Sequence, residues 1–396
     1  MRLSKLRTTL QGDWQQLALY AALAILFGGL LWFKLGSLTG GYSQHELQTA
    51  LASTGWRHIF DQPLNAPYLV VVRLLSYISD NQLLITRIVS AGIGLATLAL
   101  FYMLTRYWHG GRTALFGTLL FGVSAWFLHT ARLGVPDVLL FGILALVACY
   151  LWLRRTGSGW ALLLGFVLTA TLLYVPGMVW FIALGAVFQW KLVDQYFKKN
   201  LWAVTAGGLI LLAALVPLGM AIYNHPELAK VYAGLPATGW PMPLEVLKNI
   251  ALVPAHIFLQ GQVVPEHWLG KLAILDYFTT AMFFLGGYLY LRNTRLRRFW
   301  VMAVILIAGA VLASLGGAVT LTVIVPFLYI VAAAGVGFLL DRWLIVFPRN
   351  VIAQAVGYVL VSTAVLVTCL YSLQHYFIAW PQAQATKAVF VVKDQP

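Results

Sequence analysis

Residues 84–107 read LITRIVSAGIGLATLALFYMLTRY, an apolar run of 24 residues with Arg87 near one end and Arg106 near the other. A helix crosses a bilayer with about 20 such residues. The same test finds ten more runs, at 16–35, 113–130, 138–153, 159–174, 177–190, 201–222, 271–291, 299–314, 317–340 and 351–371. Across its 396 residues the chain is 61% hydrophobic and 10% charged, whereas a soluble domain carries about 25% charged residues. Transmembrane strands would read as roughly ten-residue alternating segments, and none occur. The expected fold is all-α: a polytopic membrane protein with about eleven spans. A further apolar helix at 64–79 begins at Pro63 and Pro67 and carries Arg73 in its middle. It is too short to cross and is expected against the outer surface.

The net charge of +14 is not a nucleic-acid footprint, because the basic residues sit in short clusters between spans. With the N-terminus inside, the inner segments hold 16 basic residues and three acids, and the outer side holds ten and nine. This is the positive-inside asymmetry. It predicts a cytoplasmic N-terminus and an outer C-terminus in a cell membrane. The basic N-terminus leads into an apolar stretch too long for a signal core, with no small-residue cleavage site, so it reads as a retained first span. Cys149 and Cys369 lie inside apolar runs, which suggests neither a disulfide nor a metal site. Tryptophans such as Trp14, Trp32, Trp126, Trp152, Trp190 and Trp300 fall near span ends, where amphipathic rings favour the headgroup level.

These spans divide the chain into a membrane module at 1–222 with an outer loop at 36–83, an outer loop at 223–270, C-terminal spans at 271–371 and a short outer tail at 372–396. In the second loop Leu244, Leu247, Ile250, Ala251 and Pro254 make an apolar stripe at helical spacing, expected as an interfacial helix. Asp276 is expected inside a span, paired with Lys271 or Lys248.

Between the first two spans lie His45, Glu46, Asp61, Asp80, Arg57 and Arg73, with Arg87 just beyond. Charged groups gathered at a bilayer are functional candidates. In Gly40-Gly41-Tyr42-Ser43-Gln44-His45-Glu46-Leu47, Ser43 and Glu46 have the spacing of a capping box. Glu46 either ties down that helix start or faces a cavity there. Asp137, in Arg132-Leu133-Gly134-Val135-Pro136-Asp137, either caps the next helix or acts as a general base. Arg87 opposes the dipole of the helix it opens. It either snorkels or presents its fork of donors to a phosphate. His45, His225, His256 and His267 lack metal-ligand spacing. A divalent metal on His45, Glu46 and Asp137 stays open as the weaker alternative. No nucleotide-binding loop follows a strand.

In order along the chain come His45-Glu46, the Pro63-to-Tyr68 segment, Arg87-Ile88-Val89-Ser90-Ala91-Gly92, Gly110-Gly111-Arg112, and Ala131-Arg132-Leu133-Gly134-Val135-Pro136-Asp137. As an ordered set these resemble the GT-C glycosyltransferases. They are similar to the family 39-like group of protein O-mannosyltransferases and lipid A aminoarabinose transferases, most clearly over residues 16–200. The resemblance implies transfer of a sugar from a polyprenyl-phosphate-linked donor, on the outer face, to a glycan, lipid or protein acceptor. It implies membrane lipid as a partner and no nucleic acid. The family's first-loop helix starts with an Asp-Glu pair. Glu46 matches the Glu, and His45 stands at the Asp position. Asp137 matches the second acid, and Arg87 matches an arginine that contacts the donor phosphate. The arginine that many relatives carry before the late Pro-rich span has no counterpart in 314–325.

The transferase reading makes Asp137, Glu46 or His45 the base. It assigns the phosphate to Arg87 with Arg57, Arg73 or Arg132. Two other classes compete with it. One is a GT-C-like scaffold or lipid-glycan binder without catalysis, suggested by His45. The other is a lipid or glycan transporter, against which stands the lack of an inverted repeat or a mid-bilayer charge.

Overall fold

A computed structural model describes residues 2–392 except 80, 237, 238, 240, 262–265, 267, 268, 270 and 271, and gives the backbone alone for residues 2–15 and 192. Asp80, His267, Lys271 and the Trp14 side chain, named above, lie outside the described residues. Within them each expected run is helical over most but not always all of its described length, and no strand forms.

The chain enters through α1 (Arg2–Trp32) and builds its first loop from three short helices, α2 (Gln44–Ala52), α3 (Trp56–Asp61) and α4 (Ala66–Leu75). Pro67 sits in the first turn of α4, where its missing N–H leaves nothing unbonded. Tyr68, Leu69 and Val72 are the buried face of α4, so it lies along the bundle as a short surface helix. The 84–107 run is α5 (Gln82–His109), started by Asn81, whose side chain accepts from the Leu84 N–H.

The run at 113–130 is not one straight span. It forms α6 (Gly111–Val123) and α7 (Ala125–Arg132), bent by 62°. The break is at Ser124, whose hydroxyl donates to Phe121 O and accepts from Phe127 N–H. A serine that bonds locally to the backbone gives the chain an alternative to the helical ladder. Pro136 then opens a 3-10 turn, Pro136–Gly142, that leads into α8 (Ile143–Thr156). Next come α9 (Gly159–Leu172), α10 (Met178–Phe188), α11 (Trp190–Lys199) and α12 (Leu201–Asn224). The second loop holds α13 (Leu228–Tyr232) and α14 (Pro243–Phe258). In α14 Val253 and Ile257 turn inward while Leu244 and Leu247 stay exposed.

The C-terminal part is α15 (Tyr277–Arg292), α16 (Arg297–Ser314), a 3-10 turn at Leu321–Val323, α17 (Val325–Val346) and α18 (Val351–Gln374). After α18 the chain runs on through a π-helix, His375–Ala379, into α19 (Trp380–Gln382) and then α20 (Gln384–Val389). Val392 closes a two-way backbone bridge with Tyr42.

Among the described residues six helical segments are long and apolar enough to cross a membrane, or seven with the bent α6–α7 pair. The apolar part of α1, with α9 and α10, is shorter. The Leu321–Val346 span is 83% buried and forms the centre, whereas α12 and the α18 span are 17% buried and form the rim. Gly286 of α15 and Gly335 of α17 let these helices touch. A Cβ on either would lie 1.9 Å from a carbonyl oxygen of the other helix. Small residues at the contact are how helices associate where hydrophobic driving force is missing.

Two expectations fail. Asp276 is not inside a span: the helix begins at Tyr277, and Asp276 is its N-cap, accepting from the Thr279 N–H and hydroxyl at 2.9 and 2.7 Å. Trp126 is not an interfacial anchor. It is 5% exposed and its indole donates to Ala273 O at 3.1 Å.

Candidate functional site

Of the two readings of Glu46, the tie at the helix start is the one found, and the same carboxylate also enters a buried ion pair. Ser43 and Glu46 form the capping box, with the Ser43 N–H donating to Glu46 Oε2 at 2.8 Å. The same carboxylate receives Arg87, whose Nε reaches Oε1 at 2.7 Å and whose Nη2 reaches Oε2 at 2.8 Å. Arg87 also donates to Leu35 O and Gly41 O, each at 3.0 Å, and its guanidinium lies 4.2 Å from the Tyr42 ring centre. Glu46 is fully buried and Arg87 is 3% exposed. Such a pair survives desolvation only when its geometry is bidentate and its remaining donors and acceptors are filled. So Arg87 neither snorkels nor offers an open fork. The reason for its place at the start of α5 is the Glu46 carboxylate.

A fourth donor reaches Glu46 from the second candidate stretch. The Gly134 N–H donates to Oε1 at 2.8 Å. A Cβ at 134 would lie 2.2 Å from Thr86 Oγ1 and 3.1 Å from Glu46 Oε1, so glycine is needed for this approach. Three residues on, Asp137 stands in the first turn of the 3-10 segment, whose N-cap is Val135, so the cap expected of Asp137 is not formed.

Asp137 and His45 line one cavity of about 440 Å³ together with Asn65, Pro176, Glu266 and the segment Gly316–Thr320. Asn65 takes a left-handed conformation, φ 60°, which asparagine tolerates better than most residues. Its N–H donates to Tyr174 O at 2.8 Å. Glu46 does not line the cavity; it holds the helix start beneath His45 and the turn leading to Asp137.

His45 Nδ1 and Glu266 Oε2 are 3.0 Å apart. With the carboxylate as acceptor, Nδ1–H donates, and neutral His45 keeps its free lone pair on Nε2. The Glu266 hydrogen bond raises the His45 pKa above its ordinary 6.5, partial burial opposes the shift, and the negative charges of Asp137, Glu266 and Glu46 reinforce it. The Glu266 backbone is fixed in turn by His129, whose Nε2–H donates to Glu266 O at 2.7 Å. His375 holds Leu269 O in the same way at 2.8 Å.

The other arginines point elsewhere. Arg132 is 4% exposed and donates to Leu30 O and Phe33 O, both at 2.6 Å, while stacking 4.9 Å from the Phe377 ring centre. These carbonyls end α1, where the helix has unpaired acceptors and partial negative charge. Arg73 lies over Tyr77 at 4.9 Å, and Arg57 is exposed on α3. None of Arg57, Arg73, Arg87 and Arg132 lines the cavity. Among the described residues no three His, Cys, Asp or Glu side chains are grouped as metal ligands, so the His45/Glu46/Asp137 metal set does not assemble: Glu46 is fully used by N–H donors.

Sequence reasoning missed Glu266, His129, Tyr376 and Trp380. Each joins the site only through a contact more than a hundred residues away in the chain, and none stands in a local motif. His129 sits edge-on to Trp380 with ring centres 4.9 Å apart, and Tyr376 stacks on Trp380 at 5.2 Å. A second cavity, about 380 Å³ and without charged lining, lies between α8, α9, α10 and α16.

No family model matches this sequence, and no curated protein matches it. Solved structures do. ArnT from Cupriavidus metallidurans in the apo state superposes with a TM-score of 0.56 at 16% identity, covering 95% of this chain and 77% of that one. ArnT from the same organism bound to undecaprenyl phosphate gives 0.55 at 16% identity with the same coverage. At this identity the likeness is one of fold alone: the chain is a multi-pass helical membrane protein folded like these structures.

Proposed function

We propose that this protein is a membrane glycosyltransferase that moves a sugar from a polyprenyl-phosphate-linked donor to an acceptor hydroxyl on the outer face of the membrane. The observation that carries the reading is the meeting of His45, Asp137 and Glu266 on one cavity of a GT-C-like fold. Asp137, or neutral His45 through Nε2, takes the acceptor proton. The acceptor oxygen attacks the anomeric carbon, and the polyprenyl phosphate leaves with the electron pair of the broken bond. Glu266 orients His45. Glu46 and Arg87 act as positioning residues, because their ion pair carries both the α2 start and the Gly134 turn. The apolar cavity supports a long isoprenoid donor: the segment entering α8, the segment entering α10, and α16 contribute to both cavities, through Leu140 and Ile143, Val175 and Phe181, and Ala313 and Ile305.

The test is transfer by purified protein given a radiolabelled polyprenyl-phosphate sugar and a lipid or glycan acceptor. Asp137→Asn is expected to lose transfer. Full transfer by that variant removes Asp137 from the mechanism. Failure of the wild type across a panel of lipid-linked sugars favours a non-catalytic binder.

A further inference from the structure

The segment after α18 packs back onto the first loop. Tyr376, Trp380 and Phe390 are all buried. Their rings make one row: Tyr376 stacks on Trp380 at 5.2 Å, and Trp380 meets Phe390 edge-on at 5.6 Å. The far end is fastened by the bridge between Val392 and Tyr42, with bonds of 2.8 and 3.1 Å. Gly41 makes room for it, because a Cβ there would lie 2.5 Å from Phe390 O. The near end acts on the second loop at two points. His375 Nε2–H donates to Leu269 O at 2.8 Å. His129, buried on α7, sits edge-on to Trp380 at 4.9 Å and to Tyr376 at 6.3 Å, and donates to Glu266 O at 2.7 Å. The Glu266 carboxylate in turn meets His45, through side chains that are 24% and 43% exposed. Water competes for so exposed a pair, so its geometry depends on how firmly the backbone behind it is held.

We infer that the segment His375–Val392 is a clamp on the candidate site: with His129 it fixes the loop backbone at 266 and 269 and so holds the Glu266 carboxylate on His45. His129 and Trp380 are positioning residues, acting on His45 through Glu266. The clamp rests on the proposed role of His45 and deepens it, since a ring held at Nδ1 presents Nε2 to an acceptor hydroxyl in a fixed orientation. His45 faces Glu266 from the second loop, Asp137 from the 3-10 turn and Glu46 from its own helix. Of these carboxylates the clamp holds Glu266, so loosening it should show in the titration of His45.

The experiment follows the isotope-labelled histidines of the full chain in detergent by NMR as pH is varied, with His45→Asn identifying the His45 signal. Glu266→Gln lowers the His45 midpoint and sets the scale. His129→Phe keeps a ring in the aromatic slot and removes the donor. It is expected to lower the midpoint by most of the same shift, and to add nothing in a Glu266→Gln background. Trp380→Leu is expected to move the midpoint in the same direction. His129→Gln, whose amide nitrogen takes the place of Nε2, is expected to titrate as the wild type. A merely structural His129 would lower the melting temperature and leave the midpoint where it is. Unmoved midpoints in His129→Phe and Trp380→Leu overturn the clamp, as does an undiminished shift by His129→Phe in the Glu266→Gln background. The titration needs no sugar donor, so the clamp and the transferase reading fail separately. Shifted midpoints in a protein that transfers nothing leave the clamp and remove that reading, and transfer with unmoved midpoints does the reverse.

Discussion

The Gly134 N–H donates to Glu46 Oε1 at 2.8 Å, across 88 residues of chain. This one bond ties the turn that carries Asp137 to the helix start that carries His45. Because Arg87 grips the same carboxylate, the two functional candidates are positioned by a buried pair that lies outside their cavity.

Glu46→Gln should therefore act on stability first. It leaves the Arg87 charge buried without a counter-ion, which costs about 3–5 kcal/mol when a buried pair loses one member. The double variant Glu46→Gln/Arg87→Met should recover part of that loss, since it removes the stranded charge. Thermal melting of the four proteins gives the cycle. Independent, additive losses would mean that the pair does not act as a unit.

Gly134→Ala should lower the melting temperature and reduce transfer together, because the added Cβ meets Thr86 Oγ1 at 2.2 Å. Removing that oxygen with Thr86→Ala should restore part of the loss in the double variant. An unchanged melting temperature for Gly134→Ala would show that the turn has room the geometry denies.

His45 supplies a pH dependence. Its pKa is raised in the folded protein, chiefly by Glu266, so the pair's stabilisation is fully present below the unfolded value near 6.5 and is lost as pH rises through the raised value. The stability gap between wild type and Glu266→Gln should shrink as pH climbs through that window. If His45 is the base, transfer should rise over the same window, since only the neutral ring accepts a proton. In Glu266→Gln the transfer midpoint should move to lower pH. A midpoint unmoved by this substitution excludes His45 as the titrating base.

Arg132→Gln should destabilise the protein without weakening lipid-phosphate binding, because its donors close the C-terminal carbonyls of α1. Melting temperature and a titration with undecaprenyl phosphate separate the outcomes. A loss of lipid affinity at unchanged stability would return Arg132 to the phosphate.

Most of the helical layout was legible in the linear chain. Hydrophobic runs set the spans, Pro67 and Ser43 set helix starts, and the capping box follows from the three-residue spacing of Ser43 and Glu46, because these effects act within one or two turns of backbone. The candidates His45 and Asp137 were legible too, as charges beside apolar runs. The break at Ser124 was not, since a serine inside an apolar run continues a helix or bends it according to which carbonyl its hydroxyl meets.

What the tertiary structure alone decided is which charges are spent on the fold and which line the cavity. Arg87 in sequence is an arginine at a helix start; in the fold it is committed to Glu46, 41 residues away. Glu266 is one acid in a long loop until His45 and His129 meet it. The pairing of a buried charge is settled by partners brought together from distant parts of the chain, and desolvation makes that pairing compulsory. Local spacing carries no record of it.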